Sequence, residues 1–346
     1  MSAETMIAPE ETPAAEQQVA QPAFMTYKAS DVFPVPFGHP ITGFDKPWDT
    51  PTIKTPRGDK NYVWDPELIK TMVLFWFSGD TCLKLIGHTG TGKTEAVFSF
   101  HAALNLPLIT LGANPQLSSR DVIGGFFPGP NGVYWRDGPV TMAARNGMSV
   151  LVDEYNVLDP GEATGLNAFL EGRQYTIPET GETIVPAPGF RVFVTINPKT
   201  AGYNGRQNQD LANDDRFVDV LTKYPDQDVE VDVIKKSLAA PNLNAGEIEN
   251  IAIAVAQGAA AVRKAYMGEN DNAGALPCTM SVRCSARMAK WTVLYARAYQ
   301  QGNAPLQPLY MALDTVLANR QRPEVRSALH EAFRLATGIT PENTQP

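Results

Sequence analysis

The chain has 346 residues, 43% of them hydrophobic, which is enough for about two domains with buried cores. Its 29 basic and 37 acidic residues give a formal net charge of -8, which argues against sequence-independent attraction to DNA or acidic lipid. Three cysteines without paired spacings argue against a disulfide framework and a structural zinc site. No apolar run approaches the length of a membrane span and no signal peptide is evident, so we expect a soluble, cytoplasmic protein.

The N-terminal part of the chain divides into a tail and an arm. Residues 1–23 contain no aromatic residue, Lys or Arg, which predicts a disordered tail. Residues 24–61 alternate prolines with aromatic residues such as Phe33 and Phe44, which is typical of an extended arm docked on a domain. Because Asp65 precedes Pro66, a helix is expected to start there.

Two domains are predicted beyond the arm. Within residues 62–227, apolar β-branched runs alternate with helical patterns, which is typical of a parallel sheet covered by helices on both faces. The expected strands cover 82–86, 107–111, 149–152 and 191–196. Residues 228–340 show helical patterns only, which predicts an all-helical second domain, and 341–346 form a short tail.

A phosphate-binding loop follows the first of these strands. Its residues fit every fixed place of the pattern G-x-x-x-x-G-K-[ST], and the helix expected after them completes the strand, loop, helix context. Glycines let backbone N–H groups surround phosphates, Lys93 would reach the outer phosphates, and the Thr94 hydroxyl would bind Mg²⁺. The sequence therefore predicts a nucleoside triphosphate and Mg²⁺ as ligands. The residues expected to bind nucleotide are Gly87, His88, Thr89, Gly90, Thr91, Gly92, Lys93 and Thr94.

Polar side chains end two further strands at the edge where such sheets bind ligands. Asp153 is expected to hold the Mg²⁺ hydration shell and Glu154 to orient the attacking water. Asn197 would contact the γ-phosphate or that water. Each pattern also fits an ordinary strand-end turn, but the phosphate loop favours the functional interpretation.

The order of these motifs resembles the AAA+ ATPases, and within them the MoxR class, most closely the AAA+ subunit of aerobic cobaltochelatase. The likeness covers about residues 40–225, with an all-helical lid after them. It departs from the cobaltochelatase subunits at Thr94, where they favour Ser, and in the stretch from Asn156 to Pro160. The resembling segments are 43–45, 119–124, 136–138, 153–155, 202–207 and 215–217.

This resemblance implies two further arginine roles. Arg216 matches the arginine finger that reaches the nucleotide of the next subunit in a ring, expected to be a hexamer. The alternative is an arginine that satisfies a helix end or an acidic neighbour such as Asp214. Arg283 matches sensor 2, which would touch the γ-phosphate in cis, with Arg287 as its competitor. A solvated basic face along this helix is the other possibility.

The resemblance also implies two inserted hairpins that face the ring's pore and partners. Residues 124–138 match the hairpin in helix 2 and 174–185 the hairpin before the sensor strand. The expected function is a ring-forming ATPase that remodels a partner protein, often one with a von Willebrand factor A domain. Cobalt insertion and a phage or mobile-element role are special cases. The alternatives are a nucleic-acid motor or loader and a monomeric small-molecule kinase.

Overall fold

The computed structural model describes residues 22–59, 62–130, 132–198, 215–238, 244–268, 276–299 and 306–342. The predicted disordered tail, residues 202–207 of the family likeness and Asp214 therefore lie outside the described residues, apart from the last two residues of that tail.

A five-stranded parallel sheet forms the centre of the first domain. Its strands are β3 (Cys82–Ile86), β4 (Leu108–Gly112), β7 (Ser149–Asp153), β10 (Arg191–Ile196) and β11 (Val218–Leu221). Their order across the sheet is β11-β3-β10-β7-β4. Four of the strands begin and end within one residue of the prediction. The fifth, β11, was not predicted, and it forms an edge of the sheet beside the phosphate-loop strand.

Hydrophobic cores cover both faces of this sheet, because side chains alternate along each strand. On one face Leu83, Leu85 and Phe193 pack with the arm and the first helices. On the other face Val150 and Val194 pack with the helices after β4 and β7. The helices of this domain are α2 (Pro66–Ser78), α3 (Lys93–Ala103), α4 (Ser119–Ile123), α5 (Pro139–Asn146), α6 (Pro160–Thr164) and α7 (Asn167–Leu170).

The arm packs into the core. It contains a two-stranded hairpin of β1 (Phe24–Lys28) and β2 (Pro40–Phe44), joined by a short helix, α1 (Ala29–Val32). The Phe33 ring stacks on Phe100 of α3 with centroids 5.0 Å apart. Asp65 caps α2 as expected, accepting a hydrogen bond of 2.8 Å from the Leu68 N–H.

Both predicted hairpins are present. The first pairs β5 (Gly124–Gly129) with β6 (Gly132–Asp137), and the second pairs β8 (Tyr175–Thr176) with β9 (Thr183–Ile184). The lid is helical, but residues 306–336, where the sequence pattern indicates one helical stretch, form two helices, because Pro323 starts a new helix. The lid helices are α8 (Gln227–Leu238), α9 (Ala245–Met267), α10 (Val282–Ala298), α11 (Pro308–Val316) and α12 (Pro323–Thr337). Within the described ranges no helix combines the length and apolar character that crossing a bilayer requires.

Candidate nucleotide-binding site

The phosphate loop joins β3 to α3 at the carboxyl edge of the sheet. Gly90 and Gly92 adopt left-handed backbone conformations, with φ of 78° and 91°. A Cβ atom on Gly90 would lie 2.0 Å from the Cβ of Ser281, the residue before α10. The glycines therefore serve two needs: they allow the tight turn, and they let the lid approach the loop closely.

Lys93 is 7% exposed and folds back onto the loop. Its ammonium donates to the carbonyl oxygens of Gly87 and His88, at 2.7 and 2.9 Å, and to Oδ1 of Asn197, at 2.8 Å. The cation thus stands where the loop and the end of β10 meet. When a phosphate binds here, its oxygens can replace some of these acceptors of the ammonium's hydrogen bonds.

Thr94 and Asp153, the predicted metal ligands, lie together. The Thr94 hydroxyl donates to Asp153 Oδ1 at 2.9 Å, and Thr195 of β10 donates to the same oxygen. Thr195 also accepts the Glu154 N–H at 2.9 Å, so it fixes the chain on both sides of the carboxylate. A hydroxyl and a carboxylate are hard oxygen donors of the kind that Mg²⁺ prefers, so the residues fit that ion.

Glu154 has a left-handed backbone, with φ of 59°, although it is not glycine. Such a conformation costs about 1–3 kcal/mol and persists where surrounding contacts enforce it. Its Oε1 accepts a bond of 3.3 Å from Asn197 Nδ2. The Asn197 backbone carbonyl in turn accepts from Asn156 at 3.0 Å. Asn197 therefore connects Lys93 to Glu154: its amide oxygen accepts from the Lys93 ammonium, and its amide nitrogen donates to the Glu154 carboxylate.

His88 connects the loop to the lid. Its ring lies nearly parallel to that of Tyr224, 6.2 Å away, and edge-on to Tyr266 of α9. The Tyr224 hydroxyl donates to the Thr89 carbonyl at 2.9 Å, and the guanidinium of Arg263 lies 4.3 Å from the centre of the Tyr224 ring. Burial, together with the charge of Lys93, lowers the pKa of His88.

A cleft of about 410 Å³ opens beside the loop, between the two domains. Its walls include apolar side chains from the stretch just before α2 and from α8, which suits a nucleotide base. Arg283 lines this cleft, whereas Arg287 does not, and the sensor 2 role of Arg283 stays a prediction. The lining residues that matter most here are Tyr62, Trp64, Gly92, Val229, Val233, Arg283 and Ala286.

Arg216 stands apart from all these groups. It precedes β11 by two residues, and Val218 pairs with Leu83, so it lies at the amino edge of the sheet, opposite the loop. There its Nε–H donates to Oε1 of Glu171, whose other oxygen is 2.7 Å from Nε of Arg173. Sequence reasoning found neither Glu171 nor Thr195, since only the folded chain places them beside the predicted residues.

Comparison with known proteins fits this arrangement. Residues 83–217 match the AAA domain of the dynein-related subfamily, a segment that runs from β3 to just past Arg216. This is an AAA+ ATPase domain of the MoxR type. The expected superfamily, class and α/β fold with a helical lid are therefore confirmed, whereas the closer likeness to the cobaltochelatase subunit stays a prediction.

Several curated proteins are similar to part of this chain. The denitrification regulatory protein NirQ of Stutzerimonas stutzeri is 36% identical over 141 residues, which are 40% of this chain and 50% of NirQ. An uncharacterized protein of Staphylococcus haemolyticus is 36% identical over 160 residues, 44% of this chain and 59% of its own length. The chain thus spans only half to three fifths of these relatives. A solved structure from Cytophaga hutchinsonii aligns with a TM-score of 0.41 and 16% identity over 76% of this chain and 79% of that one.

Proposed function

We propose that the chain hydrolyses ATP to ADP and phosphate at sites that neighbouring copies complete in a ring, and that it uses this reaction to remodel a partner protein. The observation that supports it most directly is the division of the functional residues between opposite edges of one sheet. Loop, metal ligands, Glu154 and Asn197 occupy the carboxyl edge, whereas Arg216 occupies the amino edge.

The distance between the edges supports a role for Arg216 at the nucleotide of another copy. By the pairing of Val218 with Leu83, Arg216 is level with Thr81. Six residues separate Thr81 from Gly87, which in a strand corresponds to about 20 Å. An arginine side chain is much shorter than that. This separation supports the proposal that Arg216 serves the nucleotide of another copy, as a finger in a ring does.

The carboxyl edge supplies what phosphoryl transfer needs within one copy. Lys93 would bind the outer phosphates, and Arg283 would contact the γ-phosphate from the lid. Mg²⁺ bound at Thr94 and Asp153 would neutralise charge on the phosphate oxygens. Glu154 would orient the attacking water and accept its proton, with Asn197 fixing the carboxylate through the Nδ2–H bond.

A protein is the partner that fits this molecule best. The first hairpin exposes apolar side chains at Phe126, Val133 and Tyr134, which are 53%, 71% and 50% exposed. Apolar groups on an exposed hairpin are typical of protein contacts. The similarity to a protein named as a regulator, and the family resemblance, favour a protein target with a von Willebrand factor A domain or a metal chelatase complex. Nucleic acid fits less well, because the net charge is -8.

Mixing two inactive variants tests the shared site. Glu154→Gln copies lack the carboxylate but carry the finger, and Arg216→Ala copies lack the finger but keep the rest. If each site takes its finger from a neighbour, the mixture recovers ATP hydrolysis. The recovery should peak near equal proportions, at about one quarter of the wild-type rate for independent sites in a closed ring.

Two results would contradict the proposal. An absence of recovery at every ratio, with mixed rings verified by native mass spectrometry, would refute the finger in trans. A large stimulation of hydrolysis by single- or double-stranded DNA at physiological salt would instead favour a nucleic-acid motor. The matched control is a mixture of Glu154→Gln with Lys93→Ala. Both residues would act in the copy that holds the nucleotide, so a neighbour cannot replace either of them and no recovery is expected.

A further inference from the structure

The carboxylate of Glu171 lies between two arginines at the amino edge of the sheet. Oε1 accepts from Nε of Arg216, and Oε2 is 2.7 Å from Nε of Arg173. The side chains of Glu171 and Arg216 are only 19% and 24% exposed, whereas Arg173 is 77% exposed. The contact with Arg216 is thus the sheltered one, and solvent competes for it less than for the contact with Arg173.

The backbone around Glu171 is tightly fixed. Gly172 follows in a left-handed conformation, with φ of 65°, and a Cβ atom there would lie 2.3 Å from Thr81 Oγ1. The Thr81 carbonyl accepts the Val192 N–H at 2.8 Å, so the sheet itself holds this residue. Any side chain at position 172 would push the turn away from the sheet. The close packing therefore places Glu171 at a defined height beside the start of β11.

The residue after Arg216 is fixed as well. The Phe217 ring lies 4.6 Å from the ammonium of Lys84, a residue of the phosphate-loop strand that is 3% exposed. The same ring packs edge-on against Tyr155, with centroids 5.8 Å apart. With the backbone anchored at Phe217, the remaining freedom of Arg216 is in its own long side chain, and Glu171 contacts that side chain at its end.

We propose that Glu171 is a positioning residue for the finger, and this rests on the proposed function. By accepting the Nε–H, its carboxylate sets the plane in which the guanidinium of Arg216 is presented to the nucleotide of the next copy. The terminal nitrogens of an arginine are the groups that bind phosphate oxygens in pairs. Holding the guanidinium in advance removes part of the ordering cost from the hydrolytic step.

The test measures the effect of Glu171 on ATP hydrolysis at a site on another copy. Donor copies carry Glu154→Gln, so their own hydrolysis is very slow and their contribution to the mixture is their finger. Acceptor copies carry Arg216→Ala. Donors with Glu171→Ala added should stimulate acceptors about tenfold less than donors with Glu171 intact, because a loosely held finger loses much of its effect. Donors with Glu171→Gln, which retain one acceptor oxygen, should fall between the two.

Three controls separate positioning from folding. Donor ATP affinity, thermal midpoint and ring size should be the same with and without the Glu171 substitution. Donors with Glu331→Gln, which breaks a Glu–Arg pair on α12, should stimulate as fully as the parent donor. Donors with Arg173→Ala should retain most of their effect, since Arg173 contacts the opposite oxygen and is largely exposed.

Each outcome decides something. If donors with Glu171 intact do not stimulate acceptors, the finger in trans is refuted, and the positioning role fails with it. If they do stimulate, and Glu171→Ala donors stimulate equally, the positioning role alone is overturned. Should Glu171→Ala donors fail to assemble, Glu171→Gln donors decide the matter: a partial loss supports the role and an unchanged effect overturns it.

Discussion

Acidification should destabilise this fold by about 2 kcal/mol between pH 7.5 and pH 5 through one side chain, His101. His101 lies near the end of α3, the helix that follows the phosphate loop, and it is fully buried. Its Nδ1 is 2.7 Å from the Val97 carbonyl oxygen, which makes Nδ1 the donor of the neutral ring. Among the described residues Nε2 has no hydrogen-bond partner, and the ring packs edge-on against Phe193 and Trp76.

The size of the effect follows from the pKa of this ring. Burial lowers the pKa of His101 from 6.5 to about 4, and the bond to Val97 offsets this only in part. Since the unfolded chain binds the proton more readily, the stability contribution is complete above pH 6.5. It is lost as the pH falls from 6.5 towards 4, and the full loss is about 3.4 kcal/mol at 1.36 kcal/mol per pKa unit.

Urea unfolding followed by circular dichroism at pH 7.5, 6 and 5 measures this loss. His101→Phe keeps an aromatic ring in the cavity but cannot be protonated, so its free energy of unfolding should change less with pH than that of the wild type. The control is His39→Gln, since His39 is exposed and should leave the wild-type slope intact. If His101→Phe and the wild type lose the same free energy on acidification, the reasoning is wrong.

Three further outcomes follow from the site and the lid. Glu154→Gln should slow ATP hydrolysis by about 10²-fold or more while ATP still binds, as measured by turnover and by nucleotide titration. Tyr224→Phe removes the hydroxyl bond to a loop carbonyl and should raise KM for ATP about fivefold with kcat nearly unchanged. Arg263→Gln leaves Glu230, 1% exposed, without its bidentate partner and should cost about 3–5 kcal/mol in urea unfolding. The control for this third variant is Arg334→Gln, which breaks an exposed pair and should leave the unfolding midpoint unchanged.

Local sequence patterns predicted much of this fold, because helix caps and the periodicity of apolar residues depend on neighbouring positions in the chain. The helix cap at Asp65 and the strand from Arg191 to Ile196 begin where the sequence indicated. Strand β11 was not predicted from the sequence, because it is only four residues long and the charged Asp219 interrupts its apolar pattern. Asp219 is 3.2 Å from the buried ammonium of Lys84, a contact between neighbouring strands that no local period encodes.

In the candidate site too, features that follow from local sequence could be predicted, and contacts between distant residues could not. Loop, carboxylates and Asn197 follow strands, so the topology of a parallel sheet brings them together. The partner of Arg216 could not be found in this way. The sequence suggested an acidic neighbour such as Asp214, which lies outside the described residues, whereas the contact that the structure shows is with Glu171, 45 positions away. Pairings across such separations depend on packing and not on spacing.

The docked arm has a practical consequence for defining the smallest autonomous unit of this protein. The segment that matches the AAA family, residues 83–217, starts inside a hydrophobic core. Cutting there would remove Phe33, Ile41 and Phe44, each less than 9% exposed, and would leave the face of the sheet that carries Leu83 open to water. At about 1.5–3 kcal/mol for each large side chain, that loss is comparable to the whole stability of a typical domain. The limits of homology and the limits of independent folding therefore differ here, and a truncated fragment should include the arm.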